Sequence, residues 1–429
     1  MKRFELFVLI LSFLFVTGNC QETYCTEVKH KQIKTLQVKV QGETFSAPVI
    51  ELNSGKVIEI NFDALSHGYG RYAYTITHCN ADWTPSVLSS LEYMSGFQNL
   101  SIDDFANSLN TTTFYTNYRL FLPNNDIKFK VSGNYVVKVY NEDRPKDIVF
   151  TACFSIVEPK VNVAATVSSN TDIDVNKEHQ QIGFEIVHPN YEITAPQSDL
   201  KVQIYQNNRY DNMVKNIQPL TIAKDRIIYQ FNRDLIFEAG NEYRRIEFLS
   251  NKYNGMGVQR IQFHRPYYHI DLYQDRVRSD KPYLYDQDQN GQYVIRSSQV
   301  EDPDTEADYY IVHFSLASKP IVNGNIHISG NLFNNVLNEN NRMEYNEDAR
   351  QYEKSVLLKQ GTYNYQYLFV PDGQQKGETA PVEGNFSQTS NEYRIMVYHR
   401  PFGSKFDKLI AVKRINFPEK KEKKECNWY

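Results

Sequence analysis

The feature that most constrains the fold of this chain is an alternation of side-chain character with a period of two residues, which recurs along most of its length. The segments GNYVVKVY (133–140), YYIVHFSL (309–316) and GTYNYQY (361–367) all show it. Because successive side chains of a strand point to opposite faces of a sheet, this period is typical of strands that pack one face on a core. No amphipathic pattern of helical period extends over three or four turns beyond the N-terminal leader. The sequence therefore predicts an all-β protein.

Turn signals separate these strands at the spacing of β-sandwich domains. They include NND at 124–126, SGN at 132–134 and PDG at 371–373. The chain has 31 tyrosines and an aromatic content of 14%, which favours strands over helices. Tyrosine also has a polar hydroxyl, so we expect some tyrosines to offer exposed contact area to a partner. The predicted fold is a tandem array of immunoglobulin-like β-sandwich domains.

Two segments of altered composition suggest where the domains meet. VEPKVNV, around Pro159, is typical of a linker, and SSQVEDPDTEAD (297–308) is acidic and poor in apolar residues. The sequence thus predicts a signal peptide at 1–20, an N-terminal immunoglobulin-like sandwich at 21–158 and a middle β domain at 159–300. A C-terminal immunoglobulin-like domain of the E-set type at 301–416 and a charged tail at 417–429 follow.

The leader MKRFELFVLILSFLFVTGNC has a positive start, an apolar run and a small-residue exit. It is typical of a secretory signal peptide and is too short to span a bilayer. Cleavage after Cys20 is expected, because Asn19 occupies the position where a lipidation motif requires a small residue. The mature protein is therefore expected to be exported and soluble.

Four cysteines remain after cleavage: Cys25, Cys79, Cys153 and Cys426. In an oxidising compartment they could form up to two bridges, and the sequence leaves all three full pairings open. Four cysteines in a chain of this length do not make a disulfide scaffold, so hydrophobic cores must hold the domains together.

Bulk charge and motif content argue against several classes of function. The formal net charge is −4 and the pI is near 6.2, without a long basic run, so nucleic acid is not expected as a partner. The sequence contains no HExxH, no G-x-S-x-G, no Walker loop and no G-x-G-x-x-G. We predict no catalytic residue, no metal, no cofactor and no small-molecule substrate.

The stretch HCNADW (78–83) is the strongest candidate for chemistry, because it sets a histidine beside a cysteine. A nucleophile and its base must lie within hydrogen-bond reach. His78 and Cys79 are neighbours on a predicted strand and should point to opposite faces, so they cannot form such a dyad. A strand end followed by a buried Trp83 and a tight turn at Pro85 is the favoured interpretation.

Two acidic segments are candidates for cation binding. DQDQNGQY, with Asp286, Asp288 and Asn290, resembles the first half of an EF-hand loop, although its twelfth position is Ser297 and no helices flank it. A hairpin turn is favoured there, with a weak calcium site as the alternative. The acidic run at 301–308 could gather a hard cation, but a solvated linker is the commoner structure for such a run.

The tyrosine-rich segment 303–415 is similar to immunoglobulin-like modules found beside glycan-active enzymes. Exposed tyrosines at 363, 365 and 367 could stack on sugar rings, and an exported glycan-binding protein is therefore the alternative function. The favoured interpretation is that these tyrosines fill a sandwich core.

Several strings, taken in order, resemble the plug protein family of the type IX secretion system of Bacteroidota, formerly a domain of unknown function. The resemblance extends from about Val38 to Val412. It rests on HCNADWTPS, EYMSGF, NTTTFYTNYRLFLPN, SGNYVVKVY, QNNRYDN, FEAGNEYRRIEF, DLYQDRVR, DQNGQY, EADYYIVHFSL, LLKQGTYNYQYLF and EGNFSQTSNEYRIMVYHRPFGSKFDKLIAV.

This resemblance implies a non-enzymatic periplasmic protein of a diderm bacterium, associated with the inner face of the outer membrane. Such a protein would bind the periplasmic opening of the outer-membrane β-barrel translocon and seal it when no cargo is passing. It would need a rigid body, exposed tyrosine and arginine anchors, and a contact surface that can detach. The resemblance brings no catalytic residue with it.

Overall fold

The computed structural model describes residues 23–418, apart from positions 67 and 69. The predicted signal peptide, Cys426 and the charged tail beyond Pro418 lie outside this range. The all-β prediction is confirmed, since the described part consists of strands with three helices of four residues each. Across these residues the structure has no helix with the length and hydropathy that crossing a membrane requires.

The strands are numbered in chain order. Residues 24–157 contain β1 Glu27–Val28, β2 Ile33–Val40, β3 Val49–Glu51, β4 Ile58–Ala64, β5 Tyr72–Cys79, α1 Ser90–Tyr93, β6 Met94–Ser95, β7 Leu100–Ser101, β8 Asp104–Asn107, β9 Thr116–Leu122, β10 Lys128–Phe129, β11 Gly133–Asn141 and β12 Arg144–Val157. Residues 158–240 contain β13 Asn162–Ser168, β14 His179–Val187, α2 Pro196–Asp199, β15 Leu200–Gln206, β16 Val214–Lys215, β17 Thr221–Ile222, β18 Arg226–Tyr229 and β19 Ile236–Glu238, with a 3₁₀ turn at Arg233–Leu235.

The remaining strands follow in two groups. Residues 241–389 contain β20 Arg244–Phe248, β21 Val258–His264, β22 Tyr267–Leu272, β23 Asp275–Arg276, β24 Tyr293–Ile295, α3 Pro303–Glu306, β25 Tyr309–Ala317, β26 Gly324–Ser329, β27 Glu344–Asn346, β28 Gln351–Lys359 and β29 Gly361–Pro371, with a 3₁₀ turn at Asn331–Phe333. The last two strands are β30 Asn391–His399 and β31 Lys408–Phe417.

The first sandwich, residues 24–157, packs two main sheets against each other. One has the order β1-β12-β11-β5-β7, with β3 added to β12, and the other has the order β2-β4-β9-β8. Their inner faces bury one apolar cluster, which includes Ile60, Phe62, Val137 and Phe150. The alternation seen in GNYVVKVY thus belongs to β11, a central strand with one face in this core.

The second sandwich is built from two separate parts of the chain. Its first sheet has the order β13-β14-β18-β17, with β19 added to β14, and its second has the order β16-β15-β30-β31. Strand β15 pairs with β30, so that Gln206 lies opposite Tyr393. Residues 159–240 and 390–417 therefore share one apolar cluster, which runs from Val163 to Ala411.

The third sandwich, residues 241–389, is inserted into the second. Its sheets have the orders β20-β29-β24, with β26 added to β29, and β21-β22-β25-β28-β27, with β23 added to β25. This arrangement does not follow the predicted boundary at residue 300. The segment 297–308 connects β24 to β25 inside the third sandwich, and the strands at 391–417 belong to the second.

Most tyrosines of the described residues lie in the cores, whereas Tyr253, Tyr273 and Tyr285 are exposed, as was expected of some tyrosines. In the part of the chain that the structure describes, eleven of the twelve largest fully buried side chains are tyrosines. Several of the buried hydroxyl groups donate to acceptors inside the protein: Tyr93 donates to the Ile76 carbonyl oxygen at 2.7 Å and Tyr135 to that of Val131 at 2.7 Å. Burial of a tyrosine costs little free energy when its hydroxyl is hydrogen-bonded in this way.

Candidate functional site

The dyad candidate His78 and Cys79 is placed as the alternation predicts, on opposite faces of β5. The His78 ring is buried, with Nδ1 at 2.9 Å from Ser86 Oγ and Nε2 at 3.2 Å from the Ser132 carbonyl oxygen. Burial lowers the pKa of His78 to about 4, so the ring is neutral near pH 7. This histidine is a satisfied core residue.

Cys79 points into a separate buried cluster with Trp83 and Cys153. Burial raises the pKa of the Cys79 thiol to about 12, which keeps it protonated and unreactive near neutral pH. The buried position predicted for Trp83 is confirmed. Cys25, Cys79 and Cys153, the three cysteines in the described range, are all free thiols.

The rest of the HCNADW stretch lies at the junction of the first and second sandwiches. The backbone N–H of Ala81 donates to Asp407 Oδ2 at 2.9 Å, and its carbonyl oxygen accepts from Gln203 Nε2 at 2.6 Å. Asp407 is fully buried and also pairs with Lys201 and Arg400, at 3.0 and 2.8 Å. The motif therefore joins two domains, a role that no pattern within the motif itself indicates.

An apolar cluster surrounds these polar contacts and provides most of the burial at this junction. Its members come from both sandwiches and are Ala81, Val157, Tyr205, Met396, Tyr398 and Leu409. The Tyr398 hydroxyl donates to Asn134 Oδ1 of the first sandwich at 3.0 Å. Apolar burial of this kind contributes free energy, while the polar bonds fix the relative orientation.

The calcium candidate contains a turn, although not the predicted hairpin, because the strands on either side of it pair elsewhere: β23 with β25 and β24 with β29. Asn290 and Gly291 both have positive φ, +50° and +80°, and form the turn itself. Asp286 forms an ion pair with Arg245 at 2.7 Å, whereas Asp288 accepts from the backbone N–H groups of Tyr243 and Asn290. Burial raises the pKa of Asp288 to about 7. The two carboxylates thus bind different protein donors, and no cluster of three or more potential metal ligands occurs among the described residues.

The acidic run at 301–308 is not the solvated linker that its composition indicates. Asp308 is buried and accepts from the backbone N–H of Thr112 at 2.9 Å and of Thr113 at 3.1 Å, both in the first sandwich. Asp304 Oδ2 accepts from Asn61 Nδ2 at 3.2 Å. The run is therefore part of the junction between the first and third sandwiches, where these carboxylates find donors on the partner domain.

A buried ion pair lies at the centre of the same junction. Lys359 Nζ of the third sandwich lies 2.7 Å from Asp63 Oδ2 of the first, and the two side chains are 1% and 0% exposed. Asp63 also accepts from the Tyr309 hydroxyl at 2.6 Å and from Asn117 Nδ2 at 2.8 Å. Lys359 Nζ donates to the Asp304 carbonyl oxygen at 2.7 Å and lies 4.1 Å from the centre of the Tyr115 ring.

Burial raises the pKa of the Asp63 carboxyl, while the Lys359 ammonium and the hydrogen bonds act in the opposite direction. Sequence reasoning missed this pair. The available signal was a charge flanked by apolar residues in each of two strands, Asp63 between Phe62 and Ala64 and Lys359 after the apolar run 356–358. Such isolated charges are almost never fully buried unless they are paired.

The second and third sandwiches also share buried polar contacts. Arg209 pairs with Asp211 at 2.6 Å, and both side chains are less than 10% exposed. Arg209 donates to the Gly377 carbonyl oxygen at 2.8 Å and Asp211 accepts from the Gly377 N–H at 2.9 Å. Each of the three domain pairs is thus joined by buried hydrogen bonds, and we expect the described residues to behave as one rigid body.

The tyrosines proposed for glycan stacking are core residues, as the favoured interpretation has it. Tyr363, Tyr365 and Tyr367 are 2%, 3% and 0% exposed. The opposite face of β29 is buried as well, and Asn364 Nδ2 donates to Gln289 Oε1 at 3.1 Å. These rings therefore cannot act as an exposed platform for sugar rings.

A groove with a volume of about 450 Å³ separates the first and third sandwiches on one side of their junction. One wall is the N-terminal segment 27–36, which includes β1 and the start of β2. The other wall is formed by part of the segment 332–340 and by residues 354–358 of β28, with the rings of Tyr293 and Tyr363 between them. We refer to this feature as the interdomain groove.

Comparison with known proteins finds a family model and several chains of solved structures that match. Residues 33–158, which span the first sandwich from β2 to β12, match the family model described as the Type 9 secretion system plug protein 1st domain. A crystal structure of a hypothetical protein from Parabacteroides merdae ATCC 43184, at 2.30 Å resolution, is 60% identical in sequence. It superposes with a TM-score of 0.92 over 92% of this chain and 100% of its own. No curated protein matches the sequence.

Proposed function

Because the chain belongs to the plug protein family of the type IX secretion system, we propose that it is a periplasmic plug that seals the outer-membrane translocon when no cargo is passing. The observation that carries this proposal is the family match over residues 33–158, which contain the first sandwich from β2 to β12. The leader is typical of a signal peptide, and it supports export to the periplasm, where the inner opening of the translocon lies.

The architecture supports a role as a rigid stopper. Three sandwiches are held to one another by buried contacts, centred on Asp63–Lys359, Ala81–Asp407 and Arg209–Gly377. A plug works by filling an opening, so a body that resists bending is more effective than one that is hinged. An interface of standard size, about 1,600 Å² in total, would hold such a body with an affinity that still permits dissociation.

The proposed plug acts without catalysis. The residues that most resemble catalytic groups, His78 and Cys79, are buried on opposite faces of a strand and have pKa values that keep them neutral. The buried carboxylates of Asp63 and Asp407 are neutralised by lysine and arginine partners. These groups support the packing of the domains.

Release would follow from competition between states of the channel. A plug that binds the empty channel better than the loaded channel leaves as cargo enters, and a difference of a few kcal/mol is enough to shift the populations. The plug itself does not need to change its conformation in this mechanism.

The test is affinity capture from outer membranes with a tagged copy of the mature protein. We expect the translocon to be the main partner, and we expect recovery chiefly from cells whose translocons are empty. Equal recovery from cargo-loaded translocons would remove the gating role, and no recovery of the translocon would remove the proposed function itself.

A further inference from the structure

The interdomain groove contains an unpaired strand edge. Strand β28 pairs with β25 from end to end, but on its other edge β27 pairs only with residues 351–353. In the part of the chain that the structure describes, no strand pairs with that edge of residues 354–358, and these five residues line the groove in sequence. Unpaired N–H and C=O groups along such an edge are a template for an added strand.

The opposite wall of the groove is also an edge. Strand β2 is the first strand of its sheet, and residues 33–36 of this strand face the groove. The groove thus lies between two strand edges that belong to different sandwiches. An extended segment that enters it would contact the first and third sandwiches at the same time.

The interior of the groove suits alternating apolar side chains. Val28 is partly buried against the first core, and Leu332, Phe333 and Val356 are partly buried against the third. A strand that adds to β28 directs every second side chain to one face, where these residues would receive apolar groups. Its remaining side chains would point to the other face, toward the rim.

The rim of the groove is basic. Four lysines line it, Lys29, Lys31, Lys34 and Lys354, against two acidic residues. Of the acidic pair, Glu339 is already neutralised by Arg342 at 2.8 Å. Lys34 is half-buried, and burial together with the neighbouring Lys31 lowers its pKa, so an approaching anion would stabilise its charged form.

From this geometry we propose that the interdomain groove receives an extended, acidic segment of the translocon, which adds to β28 as a further strand. Five residues of free edge correspond to a segment of about five or six residues, since a strand rises about 3.3 Å per residue. Apolar side chains of the segment would pack on Val356 and Leu332, and its carboxylates would face Lys31 and Lys34. This inference rests on the function proposed above, because that function supplies the partner.

The first experiment uses the mature protein and a synthetic probe, a blocked hexapeptide of alternating glutamate and valine. We expect measurable binding by calorimetry, which added salt weakens, and slower hydrogen exchange at the amides of residues 354–358. The same peptide with lysine in place of glutamate should bind at least about tenfold more weakly, because it meets a basic rim. Equal binding of both peptides, or unchanged exchange at 354–358, would overturn the inference.

Charge-reversal variants link the groove to the translocon. Lys31→Glu combined with Lys34→Glu should lower both peptide affinity and translocon capture at least about tenfold, since each reversal replaces an attraction by a repulsion. Lys34→Gln, which removes the charge without burying a carboxylate, should act in the same direction if the double variant fails to fold. The matched control is Lys224→Glu, at an exposed lysine of the second sandwich. This variant should change neither the peptide affinity nor the capture of the translocon.

The outcomes separate the two proposals. If the wild-type protein captures the translocon and the double variant captures it equally well, the groove is not the contact, while the plug function stands. If the wild-type protein captures no translocon, the function fails, and the translocon is excluded as the source of the segment even when the peptide binds.

Discussion

Substitution of Lys359 by methionine tests how much the junction between the first and third sandwiches depends on one charge. The change removes the ammonium that lies 2.7 Å from Asp63 and leaves a carboxylate with no exposed surface. The Tyr309 hydroxyl and Asn117 still donate to that carboxylate, but both donors are neutral. Removal of one partner from a buried pair costs about 3–5 kcal/mol.

The expected change in melting temperature follows from the size of the protein. With about 390 described residues and about 2.1 cal/mol/K of unfolding entropy per residue, a cooperative unit of this size has an unfolding entropy of about 0.8 kcal/mol/K. A loss of about 4 kcal/mol therefore lowers the melting temperature by about 5 °C near pH 7.5. Calorimetry on the mature protein measures this shift directly.

The pH dependence gives a second, independent readout. Burial already raises the pKa of Asp63, and without the ammonium we expect a further rise. An acid whose pKa is higher in the folded state than in the unfolded state is protonated more readily in the native state. The stability of the variant therefore falls as the pH rises from the unfolded pKa of Asp63 to its folded pKa. The loss of unfolding free energy in Lys359→Met, relative to the wild type, should therefore be smaller at pH 5 than at pH 7.5.

Two further variants serve as controls. Lys39→Met removes a partly exposed pair with Glu59, at 3.3 Å, and should cost no more than about 1 kcal/mol. Asp63→Asn in the Lys359→Met background removes the unpaired carboxylate and should recover most of the loss. If Lys359→Met costs as little as Lys39→Met, or if its cost does not change with pH, Lys359 does not stabilise the buried charge of Asp63.

Three other predictions concern residues that the sequence singled out. Because burial lowers the pKa of His78 to about 4, the native state should lose up to about 3 kcal/mol between pH 6.5 and pH 4. In urea titrations at these two pH values, His78→Gln should reduce that slope, and an unchanged slope would contradict the assignment. The Cys79 thiol, with its pKa raised to about 12, should resist an aromatic disulfide reagent near pH 8 until the protein is unfolded, and rapid labelling of the native protein would refute this. Gly291→Ala should be more destabilising than Gly373→Ala by about 1–3 kcal/mol in the same assay. Both glycines have positive φ, but an added Cβ at residue 291 would lie 2.6 Å from the Tyr243 ring and one at 373 meets nothing, so equal costs would show that the clash is relieved.

The sequence was sufficient to predict the fold class, because the period of two is a local property of each strand. The same argument correctly separated His78 from Cys79. It also favoured a core position for Tyr363, and the structure places that residue between the sheets. These predictions need only the direction in which neighbouring side chains point.

Predictions that depend on distant parts of the chain could not be made in this way. The pairing of Gln206 with Tyr393 joins strands almost two hundred residues apart, and no local signal marks it. The acidic run around Asp308 has the composition of a linker, yet its carboxylates bind the backbone of Thr112 in another domain. Composition describes what a segment would prefer alone, whereas these residues obtain their partners from the tertiary fold.

The polar contacts at the domain junctions have a further consequence for the interdomain groove. A buried ion pair contributes little net stability compared with apolar residues of similar volume, but it can specify one relative orientation. The groove lies between the same two sandwiches that the Asp63–Lys359 pair joins, so its width depends on that orientation. We therefore expect the combined variant Asp63→Asn with Lys359→Met to melt close to the wild-type temperature while it binds the acidic peptide more weakly. Peptide affinity equal to that of the wild type would show that the apolar contacts alone fix the angle between the sandwiches.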